Sequence, residues 1–148
     1  MIESALIVAI VLATGTTLSP AAVADSGTDL RDAVSLARSE TSCKAMQYNP
    51  IVEHVASVIN RSTNDYLDHT ATRVPVSDPL EGLKDLGYRG TKAYLLQGAD
   101  KNDGNAIKGA LLEGYATIPN CSYRDFGVSI RRNDTTGYTL AAVVLAGP

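Results

Sequence analysis

"NPIVEHVASVINRSTNDYLDHT", Asn49 to Thr70, is the stretch on which the fold turns. Asn49 is a strong N-cap residue, and Pro50 suits the first helical position, where its missing N–H would have been orphaned anyway. Ile51, Val55, Val58 and Ile59 follow at helical spacing, and Tyr66 continues the stripe. The pattern predicts an amphipathic helix from Pro50 to Leu67. Its β-branched residues lower local propensity, so burial against other elements must hold it. The helix runs out at "NDYLDHT", whose His69 is one of only two histidines in the chain.

Upstream, "SGTDLRDAVSLARSET" predicts a shorter helix starting near Thr28 or Asp29. Leu30, Val34 and Ala37 share one face, with Arg31, Arg38 and Glu40 mostly outside it. Downstream, "ATRVPVS" reads as a loop. Asp78 then caps a short helix with Pro79 first, Glu81 placed for a capping box, and Leu80, Leu83 and Leu86 apolar before Gly87 stops it. "TKAYLLQG" is a strand candidate with Tyr94 and Leu96 on one side. "DKNDGNAIKGALLEGY" predicts a helix that begins at Asp103 or Asn105 and turns Ile107, Ala110 and Leu111 inward. "SYRDFGVSIRR", the turn "NDTTG" and "YTLAAVVLA" predict a β-hairpin. Its last strand is nearly all apolar, as a central strand covered on both faces would be. Helices first and an antiparallel hairpin last define an α+β domain.

The chain has 148 residues, of which 45% are hydrophobic, enough for one globular domain. Its net charge is −3 and no Lys/Arg cluster is dense enough to track a phosphate backbone, so nucleic acid is not an expected partner. Residues 1–24 differ from the rest. "ALIVAIVLATGTTL" is apolar or small throughout and precedes Ala22-Val23-Ala24, a small-residue site of the kind signal peptidase accepts. The run is short for a membrane span of about 20 residues. A cleaved export signal over 1–24 is the expectation, with a single domain over 25–148 and no integral span after cleavage. The missing Lys or Arg before the run, and Glu3 in their place, depart from a standard signal, so either the true start lies upstream or the signal is an unusual one; a retained membrane anchor is the alternative to cleavage. Export directs the chain to the cell envelope or beyond it. There, Cys43 and Cys121, the only two cysteines, are expected to form a disulfide. No CxxC or Cys/His spacing suits zinc.

Taken in order, these pieces resemble the CAP superfamily (cysteine-rich secretory, antigen 5 and pathogenesis-related-1 proteins), especially its short exported bacterial members. "YLDHT" fits the family's histidine phrase and "GLKDLGYRG" its short helix. "PNCSYRDFGVSI" fits the phrase before the final hairpin, with Tyr123, Phe126 and Gly127 at the family spacing. The match is strongest over residues 49–148. The resemblance implies an α-β-α sandwich with a small antiparallel sheet and a shallow cleft that can hold a divalent cation between two histidines and acidic residues. Carried over by position, His69 matches the first histidine. Ala93 falls at the strand glutamate and Gly114 at the second histidine, with Glu113 or Tyr115 one step away. That set is too poor to hold zinc, so no metal or other cofactor is expected and His69 reads as a remnant of the cation site.

The remaining candidates divide the functional readings. His69 has two: an acid or base beside Asp68 or Asp65, or a structural group hydrogen-bonding the loop after the helix. His54 reads as a surface histidine on the helix flank. The serines follow no nucleophile pattern, so no catalytic residue is assigned. "GADKNDGN" lacks the spacing of a calcium loop and reads as a solvated lead into the following helix. The formal glycosylation sequons "NRS", "NCS" and "NDT" read as accidental. Tyr66, Tyr88, Tyr94, Tyr115 and Tyr123 are expected as core and rim residues. Alternatively, Tyr66, His69, Tyr94 and Tyr115 line a ligand cleft where the cation site has gone. The resulting expectation is an exported, non-catalytic binding or interaction module that acts on an unknown protein. The alternatives are a small hydrophobic-ligand or lipid carrier using a tyrosine-lined cleft, and a hydrolase with a site around His69.

Overall fold

The computed structural model describes residues 25–148; the export segment expected over 1–24 lies outside them. In chain order the elements are α1 (Asp25–Ser39), β1 (Gln47–Tyr48), α2 (Pro50–Leu67), α3 (Pro79–Asp85), β2 (Lys92–Asp100), α4 (Asp103–Glu113), β3 (Asp125–Arg132) and β4 (Thr139–Gly147). The bounds of α2 fall where the sequence puts them. The Asn49 side chain accepts from the N–H groups of Ile51 (2.9 Å) and Val52 (3.4 Å), with Pro50 first in the helix. α3 likewise starts on Asp78, which accepts from Leu80 N–H at 2.9 Å, and the chain leaves it through Gly87 at φ +84°. Three details differ. α1 begins at Asp25, earlier than the pattern suggested. The α4 cap is Asn102, accepting from Asn105 N–H at 3.1 Å. The two-residue β1 has no sequence signature at that length.

The sheet order is β1-β3-β4-β2, with β1 parallel to β3 and the other two pairings antiparallel. β4 is central, opposite Leu96 and Val128 at Val143, and every one of its residues is buried. Alternation along the strand divides the core. Ala141, Val143 and Leu145 pack with Leu30 and Val34 of α1, Ala106 and Ala110 of α4, and Phe126. Val144 and Ala146 face Val52, Val55, Ala56 and Ile59 of α2 and Leu83 of α3. The result is an α-β-α sandwich, the α+β class expected. Among the described residues no helix is long and apolar enough to cross a membrane.

The buried stripe of α2 is rotated from the one expected. Val52, Val55, Ala56, Ile59 and Asn60 are buried, while Val58 and Tyr66 are 43% and 47% exposed. The cause is a close approach. A Cβ on Gly127 of β3 would lie 2.1 Å from Glu53 N, so the first turns of α2 rest directly on the β3 backbone. Val52 and Ala56 face that backbone and Ile59 continues the same buried stripe, while Val58 lies on the side turned to α3. Gly98 does the same for the other layer, since a Cβ there would lie 2.0 Å from Ala106 O of α4. Asn60 enters the buried stripe because its amide donates to Leu140 O (2.9 Å) and to Ser129 O and Oγ (both 3.2 Å).

Arg38 is a further correction. Expected outside the core, it is 2% exposed. Its Nε donates to Lys44 O (2.9 Å), Nη1 to Ile118 O (2.6 Å) and Asn120 O (3.0 Å), and Nη2 to Tyr123 O (2.8 Å). Those carbonyls belong to the two irregular segments that the Cys43–Cys121 disulfide also joins, its Cα atoms 5.1 Å apart. One side chain and one covalent bond therefore tie the same pair of loops.

These two ties should separate under mutation. Replacing both cysteines by serine removes a 78-residue closure, worth about 4.5 kcal/mol in the chain-entropy model, yet leaves the Arg38 bonds in place. The double variant should fold with a lowered denaturation midpoint and an unchanged far-UV spectrum. Arg38→Gln strands buried carbonyls and should cost about 3–5 kcal/mol. Arg38→Lys should recover only part of that, because an ammonium cannot span the same four oxygens. Urea denaturation of the three variants measures this, and a silent Arg38→Gln would contradict it.

Candidate functional site

The end of α2 carries the histidine that the sequence singled out. Asp68 closes the helix, and His69 follows at φ 57°, the single non-glycine residue with positive φ among those described. His69 N–H donates to Tyr66 O (3.1 Å) and Thr70 N–H to Asp65 O (2.9 Å). This is the paired pattern of a left-handed helix stop, a position usually filled by glycine. His69 is exposed, and the hydrogen bonds of the described residues do not include its ring. The expected bond from the imidazole to the following loop is thus replaced by a backbone role.

The polar contacts belong to the neighbours of His69. Asn133, fully buried in the turn between β3 and β4, donates through Nδ2 to Asp68 Oδ1 (2.8 Å) and Asn64 Oδ1 (3.0 Å). Its Oδ1 accepts from the backbone N–H (2.8 Å) and hydroxyl (2.6 Å) of Thr136. Asn64 Nδ2 closes the circuit to Asp68 Oδ2 at 3.2 Å. Hydrogen bonds from Thr135 and Asn133 hold the Asp68 carboxyl below its usual pKa. "NDYLDHT" is built as a clip between the end of α2 and the hairpin turn.

The candidate cleft of Tyr66, His69, Tyr94 and Tyr115 is not gathered in one place. Tyr66 and His69 belong to the α2 layer. Tyr94 shares its strand side with Leu96, whose side chain packs in the α1/α4 layer. Tyr115 follows α4 and is 83% exposed. The sheet lies between the two pairs. The other two tyrosines pack: Tyr123 is buried against the α1/α4 core, and Tyr88 donates to Asp125 Oδ2 at 2.6 Å. Burial and that carboxylate push the Tyr88 hydroxyl far above its ordinary pKa.

The positions matched to cation ligands have packing duties. Ala93 packs against the α2/α3 core. Gly114 closes α4, and a Cβ there would lie 2.6 Å from Leu96 Cδ1 and 2.9 Å from Ile118 Cδ1. Glu113 accepts from Gln97 N–H at 2.9 Å. Among the described residues no three His, Cys, Asp or Glu side chains are grouped to hold a metal ion.

A groove absent from the sequence reading lies between α2, the loop before α3, and α3. It encloses about 220 Å³ and is lined by His54, Val55, Val58, Ile59, Val76 and Leu86, with Asp78, Gly82 and Asp85 completing it. Val58, Val76 and Leu86 are each 43–45% exposed on its walls. His54 is exposed at its rim, the surface placement its spacing suggested. The sequence carries no separate signal for the groove: Val58 and Leu86 fall on the apolar faces that periodicity predicts, and only the packing of α2 and α3 leaves them half-exposed.

A long capped helix on one face, two helices on the other and a final hairpin through the middle make this a CAP-like fold. Solved structures agree. An outer surface protein from Borrelia burgdorferi superposes with a TM-score of 0.65 at 10% identity, over 83% of this chain and 92% of that one. A cysteine-rich secretory protein from Staphylococcus aureus superposes with a TM-score of 0.59 at 15% identity, over 84% of this chain and 39% of that longer one. No protein-family model and no curated protein matches the chain.

If His69 serves through its backbone, His69→Gly should hold or raise the melting temperature. A non-glycine residue costs roughly 1–2 kcal/mol in this conformation, and histidine tolerates it better than most. His69→Val should lower the melting temperature by the full amount. The Asp68 clip has a pH signature. Because its folded pKa is depressed, its contribution is fully present above the unfolded carboxylate value near 3.9 and is lost as pH falls through the folded one. Asp68→Asn should therefore flatten the acid limb of stability below about pH 4, measured by denaturant midpoints from pH 2 to 7.

Proposed function

We propose that the protein is an exported, non-catalytic CAP-like binding module that takes an apolar side chain of a partner protein into the groove between α2 and α3. The groove itself carries this reading: half-exposed Val58, Val76 and Leu86 wall a concavity whose floor is the buried pair Val55 and Ile59. An apolar concavity with a few polar groups at its edge is the usual form of a binding site. Export is supported by the expected signal over residues 1–24 and by the Cys43–Cys121 disulfide, a bond that persists in oxidising compartments. The names of the two structural neighbours, an outer surface and a secretory protein, point the same way.

Loss of the family cation site is supported by Ala93 and Gly114, since both positions are taken up by packing against the core. Against a hydrolase, both histidines are exposed or at a groove rim, and His69 sits in a helix stop. The carrier alternative rests on the same apolar lining. At about 220 Å³ the groove falls below the roughly 300–1,000 Å³ typical of sites that engulf a small molecule, which favours a single anchoring side chain. The partner surface then buries the rim.

The test is a photo-crosslinking residue at Leu86 in the natively exported protein. A discrete protein adduct is expected, abolished by Val58→Arg and absent from a probe at Lys101. Val58→Arg should leave the fold intact, since the residue is already half in water. A stoichiometric lipid in the organic extract, displaced by Val58→Arg, would replace the protein partner with a carrier function. Equal adducts at both probe positions would dismiss the groove.

A further inference from the structure

A second cavity lies on another edge of the molecule, where the end of α1 meets β1 and the start of β3. It encloses about 570 Å³ and is lined by Arg38, Ser42, Cys43, Lys44, Ala45, Gln47, Cys121 and Arg124. Three of these eight residues are cationic and none is acidic, in a chain of net charge −3. Ion pairs among the described residues join Arg31 to Glu53 and Arg132 to Asp103; Lys44 and Arg124 enter neither.

Arg38 makes this more than a basic surface. Its charge is buried, and its hydrogen-bond partners are four backbone carbonyls with no carboxylate. Carbonyl dipoles take four of its five N–H donors, yet they carry no net charge, so the unit positive charge stays at the wall of the cavity. Burial lowers the guanidinium pKa without bringing it near neutrality. A fixed, desolvated cation behind two exposed ones, Lys44 and Arg124, gives a concave region of positive potential with hydroxyl and amide donors in Ser42 and Gln47.

We infer that the cavity beside the Cys43–Cys121 disulfide binds a tetrahedral oxyanion, a phosphate or sulfate group, held by Lys44 and Arg124 over the charge of Arg38. A guanidinium fork and an ammonium together match such a group well. The site is independent of the α2/α3 groove, which shares no lining residue with it.

The experiment titrates the whole chain with inorganic phosphate and with sulfate against sodium chloride at matched ionic strength, following melting temperature and calorimetric heat. Saturable binding is expected, about tenfold weaker in Lys44→Gln or Arg124→Gln and lost in the double variant. Arg61→Gln, an exposed charge on α2, should bind like the parent. Arg38 is left intact because the fold needs it. A parallel arm uses vesicles of phosphatidylcholine with and without phosphatidic acid. Sedimentation only with the acidic lipid, again lost in the double variant, would assign the oxyanion to a headgroup; phosphate binding alone would assign it to a free anion. Stabilisation by phosphate no greater than by chloride, or unchanged binding in the double variant, would overturn the site.

Discussion

The structure depends on a buried positive charge that has no negative partner among the described residues. Arg38 ends α1 inside the protein and spends its donors on Lys44, Ile118, Asn120 and Tyr123 carbonyls. Those carbonyls lie in irregular backbone, and leaving the buried ones of Ile118 and Tyr123 without a donor would cost about 1–3 kcal/mol each. A lysine has too few and too flexible donors for the task. With the loop at 118–123 fixed, Arg124 N–H meets Ala146 O and Gln47 N–H meets Arg124 O. β3 is thereby set against both β4 and β1. The disulfide restrains the unfolded chain across the same gap, while Arg38 organises the folded one.

From that anchored edge the sandwich closes by proximity. β4 buries all its residues because α2 comes down on one face and α4 on the other, and each approach requires a glycine on the neighbouring strand. Gly127 admits the backbone of α2 at Glu53, and Gly98 admits α4 at Ala106. Helices this close need small facing residues, here Ala56, Ala106 and Ala110. Val58 lies off that buried face and lines the groove beside α3.

Much of this was legible in the chain. Asn49-Pro50 and Asp78-Pro79 mark helix starts to the residue, because N-caps and first-turn prolines act through local backbone groups. The run "TLAAVVLA" announces a doubly covered strand, and a sole pair of cysteines announces a disulfide once export is expected from the apolar run before them. What stayed hidden depends on distances between elements. Arg38 looks like any surface arginine until the carbonyls of residues 118–123 arrive beside it. The rotation of α2 follows from Gly127, far along the chain, and periodicity within the helix is blind to it. The candidate tyrosines share a residue type and a sequence neighbourhood, but strand parity sends Tyr94 to the face opposite Tyr66.

His69 shows the same separation between a residue and its surroundings. The string "YLDHT" drew attention through the imidazole, the group with the richest chemistry available. What the fold uses there is a backbone able to turn left-handed after Asp68, plus the amides of Asn64 and Asn133 around that carboxylate. Histidine is among the few non-glycine residues that tolerate this turn, so conformation alone is a sufficient reason for a histidine at position 69. With the end of α2 clipped to the hairpin and its beginning laid on Gly127, the helix is held at both termini. Its middle, from His54 to Val58, is left to present side chains along a groove. A helix held at both ends gives up little ordering entropy on contact, which suits the proposed recognition at Val58 and its neighbours in the groove.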